Sequence, residues 1–173
     1  MANTAQPAEN VAASAIDATI DYKLGVLRKI LDRYSAPLVA SEFGLSLAEW
    51  RVMSHIHAGE LVTASWLCER LLADKAEVSR ACGSLIGRNF VRRRKNVADG
   101  RSHLLSLSQS GRRLYDQILA SRLALDAELT ELLSQEQKGA FFSAVDIMTA
   151  HMLQKLHGSV VQAGHPSGDG PEV

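Results

Sequence analysis

Apolar residues fall on a helical period over most of the chain. Ile20, Leu24, Leu27, Leu31 and Tyr34 recur at spacings of four and three, which gives a first helix one apolar stripe. Pro37 is expected to end or kink it, because proline lacks an amide hydrogen and crowds the preceding turn. Ser46-Leu47-Ala48-Glu49 reads as a capping box, in which serine and glutamate satisfy orphan amides at a helix start. The second helix it opens carries Trp50, Met53 and Ile56, and Gly59 suits its exit. Thr63 caps a short third helix with Leu67 and Leu71 facing inward. Asp74-Lys75-Ala76-Glu77 repeats the capping logic, so a fourth helix begins at about Lys75. Val78, Cys82 and Leu85 share its inner face, and Asn89 closes it in a left-handed turn.

Beyond Asn89 the period changes. Phe90 to Lys95 and His103 to Leu107 read as two strands joined by the polar run from Asn96 to Ser102. Ser108 then opens a long helix bearing Leu114, Ile118, Leu125, Leu129 and Leu132. A third capping box, Ser134 to Gln137, starts a last helix with Phe141, Val145, Met148 and Met152. Residues 1–13 are small and polar, and 158–173 hold four glycines and two prolines, so both are expected to be flexible tails. The fold class is mainly α with a small β-hairpin.

Composition narrows the class. A chain of 173 residues that is 46% hydrophobic can bury a core. No run approaches the roughly 18 to 20 apolar residues that span a bilayer, and Met1 to Glu9 lacks the features of a secretory signal, so a cytoplasmic protein is expected. Cys68 and Cys82 form no ligand or disulfide spacing and are expected as small buried hydrophobes. No phosphate-binding, dinucleotide or zinc-protease motif is present. Asp99, Ser102 and His103 lie in a basic hairpin without the buried shell a catalytic triad needs. His55 and His57, two apart on a helix, point away from each other. Neither catalysis nor a metal or cofactor is expected.

Net charge is zero, yet the charges are segregated. From Lys75 to Arg113 there are ten basic residues against Glu77 and Asp99, and the rest of the chain carries the compensating acidic excess. Such a division suits a domain with one face turned to phosphates. Two short helices followed at once by a basic hairpin have the order of a helix-turn-helix with a wing. The second helix of that unit fits a major groove, and its outward positions here are Lys75, Ala76, Ser79, Arg80 and Ser84. Arg92, Arg93, Arg94 and Lys95 approach phosphates from the strand. Arg101 stands at the tip, flanked by Asp99 and Ser102, as a probe for a narrow minor groove. Asp99 is expected to aim its guanidinium by a charge-assisted hydrogen bond.

Val78-Ser79-Arg80, Leu85, Asn89-Phe90-Val91, Arg93, Asp99-Gly100-Arg101-Ser102, Leu107-Ser108 and Gly111 together resemble the signature of the MarR family of bacterial winged helix-turn-helix transcriptional regulators. The resemblance spans roughly 16–156. It implies one domain over 14–157, with a DNA-binding lobe at about 46–108 and dimerisation helices at about 14–40 and 109–157. It implies a homodimer on a pseudo-palindromic double-stranded DNA operator, and a repressor is expected because blocking a promoter needs no further contact surface. It further implies release by a small aromatic or acyl-thioester effector held between body and lobe. Trp50, Arg51, His55 and Trp66 lie near that cleft, where an arginine among aromatics suits an aromatic carboxylate. Two positions depart from the pattern: Asn89 stands where glycine is usual, and Gly83 costs about 1 kcal/mol of helix propensity. A thiol-based redox switch at Cys68 or Cys82 is the alternative. A winged helix that binds another protein is a third reading, distinguished by lacking the steep salt dependence of DNA binding.

Overall fold

A computed structural model describes residues 15–163, with side chains described through Leu156. The expected tail at 1–13 and the end of the chain past Ala163 lie outside the described residues. The chain divides into two compact units, the first reaching Ala120 and the second beginning at Ser121.

In the first unit a short 3-10 turn, Ala15–Ala18, precedes helix α1, Ile20–Phe43. Thr19 caps α1 by accepting the Tyr22 amide at 3.3 Å. Of the two outcomes expected at Pro37, an end or a kink, the end does not occur, and α1 runs six residues further. The lost backbone bond is offset by what those residues bury: Val39 lies in the core and Phe43 packs against it. The stop is Gly44, whose φ of 64° is one that a side chain disfavours, with its amide donating to Ala40 at 3.0 Å.

Helix α2, Leu47–Gly59, begins with the expected capping box: the Ser46 amide donates to Glu49 Oε2 at 2.6 Å and the Glu49 amide to Ser46 Oγ at 3.2 Å. Its exit differs in detail, because the left-handed residue is Glu60, with φ 58°, and Gly59 is the last helical position. Helix α3, Ala64–Leu71, is capped by Thr63 and ends at Leu72, again left-handed. Helix α4, Lys75–Gly87, starts where Asp74 Oδ1 accepts the Glu77 amide at 2.7 Å. These three helices close over Val52, Met53, Ile56, Leu67, Val78 and Leu85, all essentially inaccessible.

Strands β1, Val91–Lys95, and β2, His103–Leu107, pair antiparallel with Val91 opposite Leu107 and Lys95 opposite His103. Val62 adds a single bridge to Leu105, with mutual hydrogen bonds of 3.0 and 2.7 Å, which pins the hairpin to the segment between α2 and α3. Val91, Leu105 and Leu107 face the core, leaving the arginines outside.

The turn that joins α4 to β1 also receives the start of helix α5, Gln109–Glu131. Asn89 is left-handed as expected, with φ 58°. Its carbonyl accepts Ser108 Oγ at 2.7 Å and Ser110 Oγ at 3.0 Å, while Ser108 Oγ accepts the Gly111 amide at 3.0 Å. The Phe90 carbonyl takes the Ser108 amide at 2.9 Å. Gly111 is pressed so closely here that a Cβ would stand 2.0 Å from the Phe90 oxygen.

The second unit holds the last part of α5 and helix α6, Gln135–Ala163. Ser134 and Gln137 form the expected reciprocal cap, at 2.9 and 3.2 Å. Leu132 lies past the end of α5 and is 80% exposed, and α6 continues to Ala163 where a tail from Gly158 was expected. Val145 and Met148 are half-buried, whereas Phe141, Ile147 and Met152 remain exposed.

A further tie crosses the first unit. Glu49 accepts a hydrogen bond from Ser84 Oγ of α4, and Arg88 Nη1 lies 3.9 Å from the same carboxylate oxygen while donating to the Gly44 carbonyl at 2.8 Å. Burial pulls the Glu49 carboxyl upward, but the Ser84 hydroxyl, the Ser46 amide and side chain, and the Arg88 charge outweigh it and hold it below the usual glutamate range.

Two outcomes follow from this packing. Gly111→Ala is expected to cost about 1 to 3 kcal/mol, because the backbone it meets cannot yield as a side-chain tip does; the midpoint of urea unfolding reads it. Glu49 favours folding through its ionised form, so its contribution is complete above about pH 4.5 and is lost as pH falls through the lowered pKa. Thermal unfolding should therefore show Glu49→Gln less stable than the native chain at neutral pH, with the gap narrowing in that acid range; a gap independent of pH would contradict the assignment.

Candidate nucleic-acid interface

The exposed face of α4 follows from its two periods. Val78, Ala81, Cys82 and Leu85 take the core side, so Lys75, Ala76, Ser79 and Arg80 are turned outward and are exposed. They occupy the N-terminal half of the helix, where amides and side chains project together. Ser84 stands on the same element, but its hydroxyl is engaged by Glu49. Gly83 is open, with nothing within 4 Å of where a Cβ would sit.

The hairpin supplies the second element. Arg92, Arg93, Arg94 and Lys95 are all exposed along β1, and Arg93 Nη2 reaches His103 Nδ1 across the pair at 2.9 Å. The tip is laced by its own polar groups. Asn96 Nδ2 donates to Ser102 Oγ at 2.8 Å, the Asn96 amide to the Ser102 carbonyl at 3.2 Å, and the Ala98 amide to Asn96 Oδ1 at 3.1 Å. Asp99 Oδ1 accepts the main-chain amide of Arg101 at 3.1 Å, and the Asp99 carbonyl accepts the Ser102 amide at 3.0 Å. This corrects the expected role of Asp99. Among the described residues no ion pair joins its carboxylate to the Arg101 guanidinium; aspartate folds back on the backbone two residues ahead, as in an Asx turn, and shapes the loop. The Arg101 side chain is left exposed at the tip. So is Val97, at 97%, an apolar residue that sequence reasoning passed over within a segment it called polar.

The residues expected around an effector are not gathered at one place. Trp50 stacks on Tyr115 with ring centres 5.4 Å apart, and Tyr115 in turn stacks on His57 at 3.9 Å, a three-ring column joining α2 to α5. His55 Nδ1 lies 2.9 Å from the Arg51 carbonyl on its own helix. Trp66 packs over Gly59. Only Arg51 of the four lines an open cleft, together with Arg28, Val52, Leu71, Leu72, Glu77 and Val78. Arg51 Nη2 donates to both oxygens of Asp32 at 2.6 and 2.7 Å, and Arg28 Nε reaches the same carboxylate at 2.9 Å. Burial raises the Asp32 carboxyl, and the two arginines more than reverse that, holding it below the usual aspartate range. Asp32, Tyr115 and Glu49 as a tie were not anticipated: Arg51, Trp50 and Ser84 lie 19 or more residues from their respective partners, although Arg28 is only four from Asp32.

Cys82 is buried, as expected, and Cys68 half-buried. Burial, with a smaller effect from Cys68, pushes the Cys82 thiol up to about 11, which withholds the thiolate that oxidation requires. Among the described residues no helix is long and apolar enough to cross a membrane.

A family model described as MarR family matches residues 43–102, the span from the end of α1 through the wing tip. No curated protein matches the chain. Similar solved structures include a mutant MarR from E. coli complexed with operator DNA, 21% identical with a TM-score of 0.65, covering 79% of this chain and 99% of that one. Streptococcus pneumoniae FabT in complex with DNA is 16% identical with a TM-score of 0.67, covering 79% and 96%. An uncharacterised SlyA-like transcription regulator from Listeria monocytogenes is 18% identical with a TM-score of 0.75, covering 87% and 99%. Over residues 43–102 the chain is similar to the MarR family, and over most of its length it shares the fold of these solved structures.

Proposed function

We propose that the chain binds double-stranded DNA as a homodimer and represses transcription from a pseudo-palindromic operator until a small effector releases it. The observation that carries this reading is the joint exposure of the α4 outer face and the laced, arginine-tipped wing, on one short basic stretch. Lys75, Ala76, Ser79 and Arg80 would enter a major groove, Arg101 the adjoining minor groove, and Arg92 to Lys95 would lie along phosphates. The two similar proteins solved with DNA support it by shared fold.

Dimerisation is supported by apolar side chains that each unit leaves uncovered: Ile20, Leu24, Leu27 and Tyr34 on α1, and Phe141, Ile147 and Met152 on α6. Monomers seldom expose this much apolar surface in helical stripes. Two lobes would then read half-sites about one helical turn, roughly 34 Å, apart. The effector reading rests on the Arg28 and Arg51 cleft, lined also by Val52, Leu71 and Glu77, where the paired guanidinium groups suit a small carboxylate with an aromatic or acyl body that competes with Asp32.

Arg101→Ala is expected to weaken specific duplex binding by about 1 to 3 kcal/mol and to reduce the salt slope by about one; unchanged affinity would mean that the wing does not touch DNA. Sedimentation should return a dimer, and a monomer at all concentrations would contradict the two-lobed arrangement. An aromatic carboxylate such as salicylate should raise the thermal midpoint and weaken duplex binding, and Arg51→Ala should abolish both responses.

A further inference from the structure

Apolar packing holds α4 in the lobe but does not by itself fix its roll. The contacts of Val78, Ala81, Cys82 and Leu85 are non-directional, and the Asp74 cap satisfies amides of the same helix. Among the described residues, the side-chain hydrogen bonds and ion pairs that leave α4 and its cap Arg88 for α1 and α2 run to two acceptors only: the Glu49 carboxylate and the Gly44 carbonyl. Glu49 is 9% exposed, so it cannot meet a duplex itself. It nevertheless binds three elements at once. Its Oε2 closes the cap of α2, its Oε1 accepts the Ser84 hydroxyl, and Arg88 draws the Gly44 end of α1 to the same point while lying 4.9 Å over the Phe90 ring.

We propose that Glu49 is a positioning residue for sequence reading: its buried carboxylate, held by the capping box of α2, fixes the orientation of α4 through Ser84 and Arg88. Resting on the DNA-binding reading above, this inference adds a residue that acts on the duplex only through another. Directionality is the reason it matters. A carboxylate that also closes the α2 cap has little freedom to follow a rotated α4, so the Ser84 bond is made in one roll of the helix and broken in others. Base readout needs side chains held to about half an ångström, whereas phosphate contacts tolerate more. Loss of the tie should therefore blur discrimination while sparing affinity for any duplex.

The test uses the full chain. A random duplex pool is selected on the native protein, and Kd is measured for the selected sequence and for a scrambled one with the native chain, Glu49→Gln, Ser84→Ala, the double variant and Ser84→Thr. Glu49→Gln should lower the ratio of selected to scrambled affinity about tenfold, with scrambled affinity and its salt slope unchanged, and Ser84→Ala should lower that ratio by a similar factor. The double variant should be no worse than the worse single one, and Ser84→Thr, which keeps the hydroxyl, should retain the native ratio. Ser84→Ala leaves the α2 cap intact and carries the test if Glu49→Gln fails to fold. A native ratio in Glu49→Gln or Ser84→Ala would overturn the proposal. So would losses that multiply in the double variant, since Ser84 would then act by its own contact with the duplex. If the native chain selects no sequence at all, DNA reading itself fails and the proposal falls with it.

Discussion

The two residues Asn89 and Phe90 bear the constraint on which the lobe depends. α4 and the hairpin keep a fixed relation only if one cannot move without the other, and here the start of α5 is fastened to the two consecutive carbonyls that link the end of α4 to the start of β1. Asparagine takes the left-handed conformation with a modest penalty that glycine would avoid. The dense hydrogen bonding of its carbonyl compensates for that choice. Gly111 has no such latitude, because its neighbour across the junction is backbone.

Around this junction the molecule separates two kinds of adhesion. Leu67, Leu85, Met53 and Ile56 supply area without direction, and the few buried or half-buried polar groups supply direction without much area. Glu49 belongs to the second kind. Its ionised form survives burial because every approach to it carries a donor or a cation. Asp32 does similar work nearer the surface, between α1 and α2, where solvent weakens each bond.

Local signals were legible in the sequence and distant ones were not. Ser46, Thr63, Asp74 and Ser134 announced their helices because a cap is decided within three residues, and the strand limits were legible because alternation and the Asn96 to Ser102 run are equally local. Pro37 does not stop its helix because its intrinsic cost is overridden by the burial of Val39, which lies in the core for tertiary reasons. Asp99 misled because a carboxylate two residues before an arginine has two targets, the guanidinium and the amide, and spacing cannot choose between them. Trp50, Arg51, His55 and Trp66 were placed near the implied cleft by the helices that carry them, but helix rotation sends Trp50 toward Tyr115 and Arg51 toward Asp32. Glu49 was read as a cap and nothing more; its second partner, thirty-five residues away, leaves no trace in a linear pattern.

The lacing of the wing tip alters the thermodynamics of whatever docks there. An ordinary seven-residue loop would have to surrender backbone freedom at the moment of contact, at roughly 1 kcal/mol or more for each residue frozen. Here Asn96, Asp99 and Ser102 have already absorbed that entropy during folding. What is left to immobilise is chiefly one long side chain, so encounter with a partner starts from a surface whose shape is settled in advance.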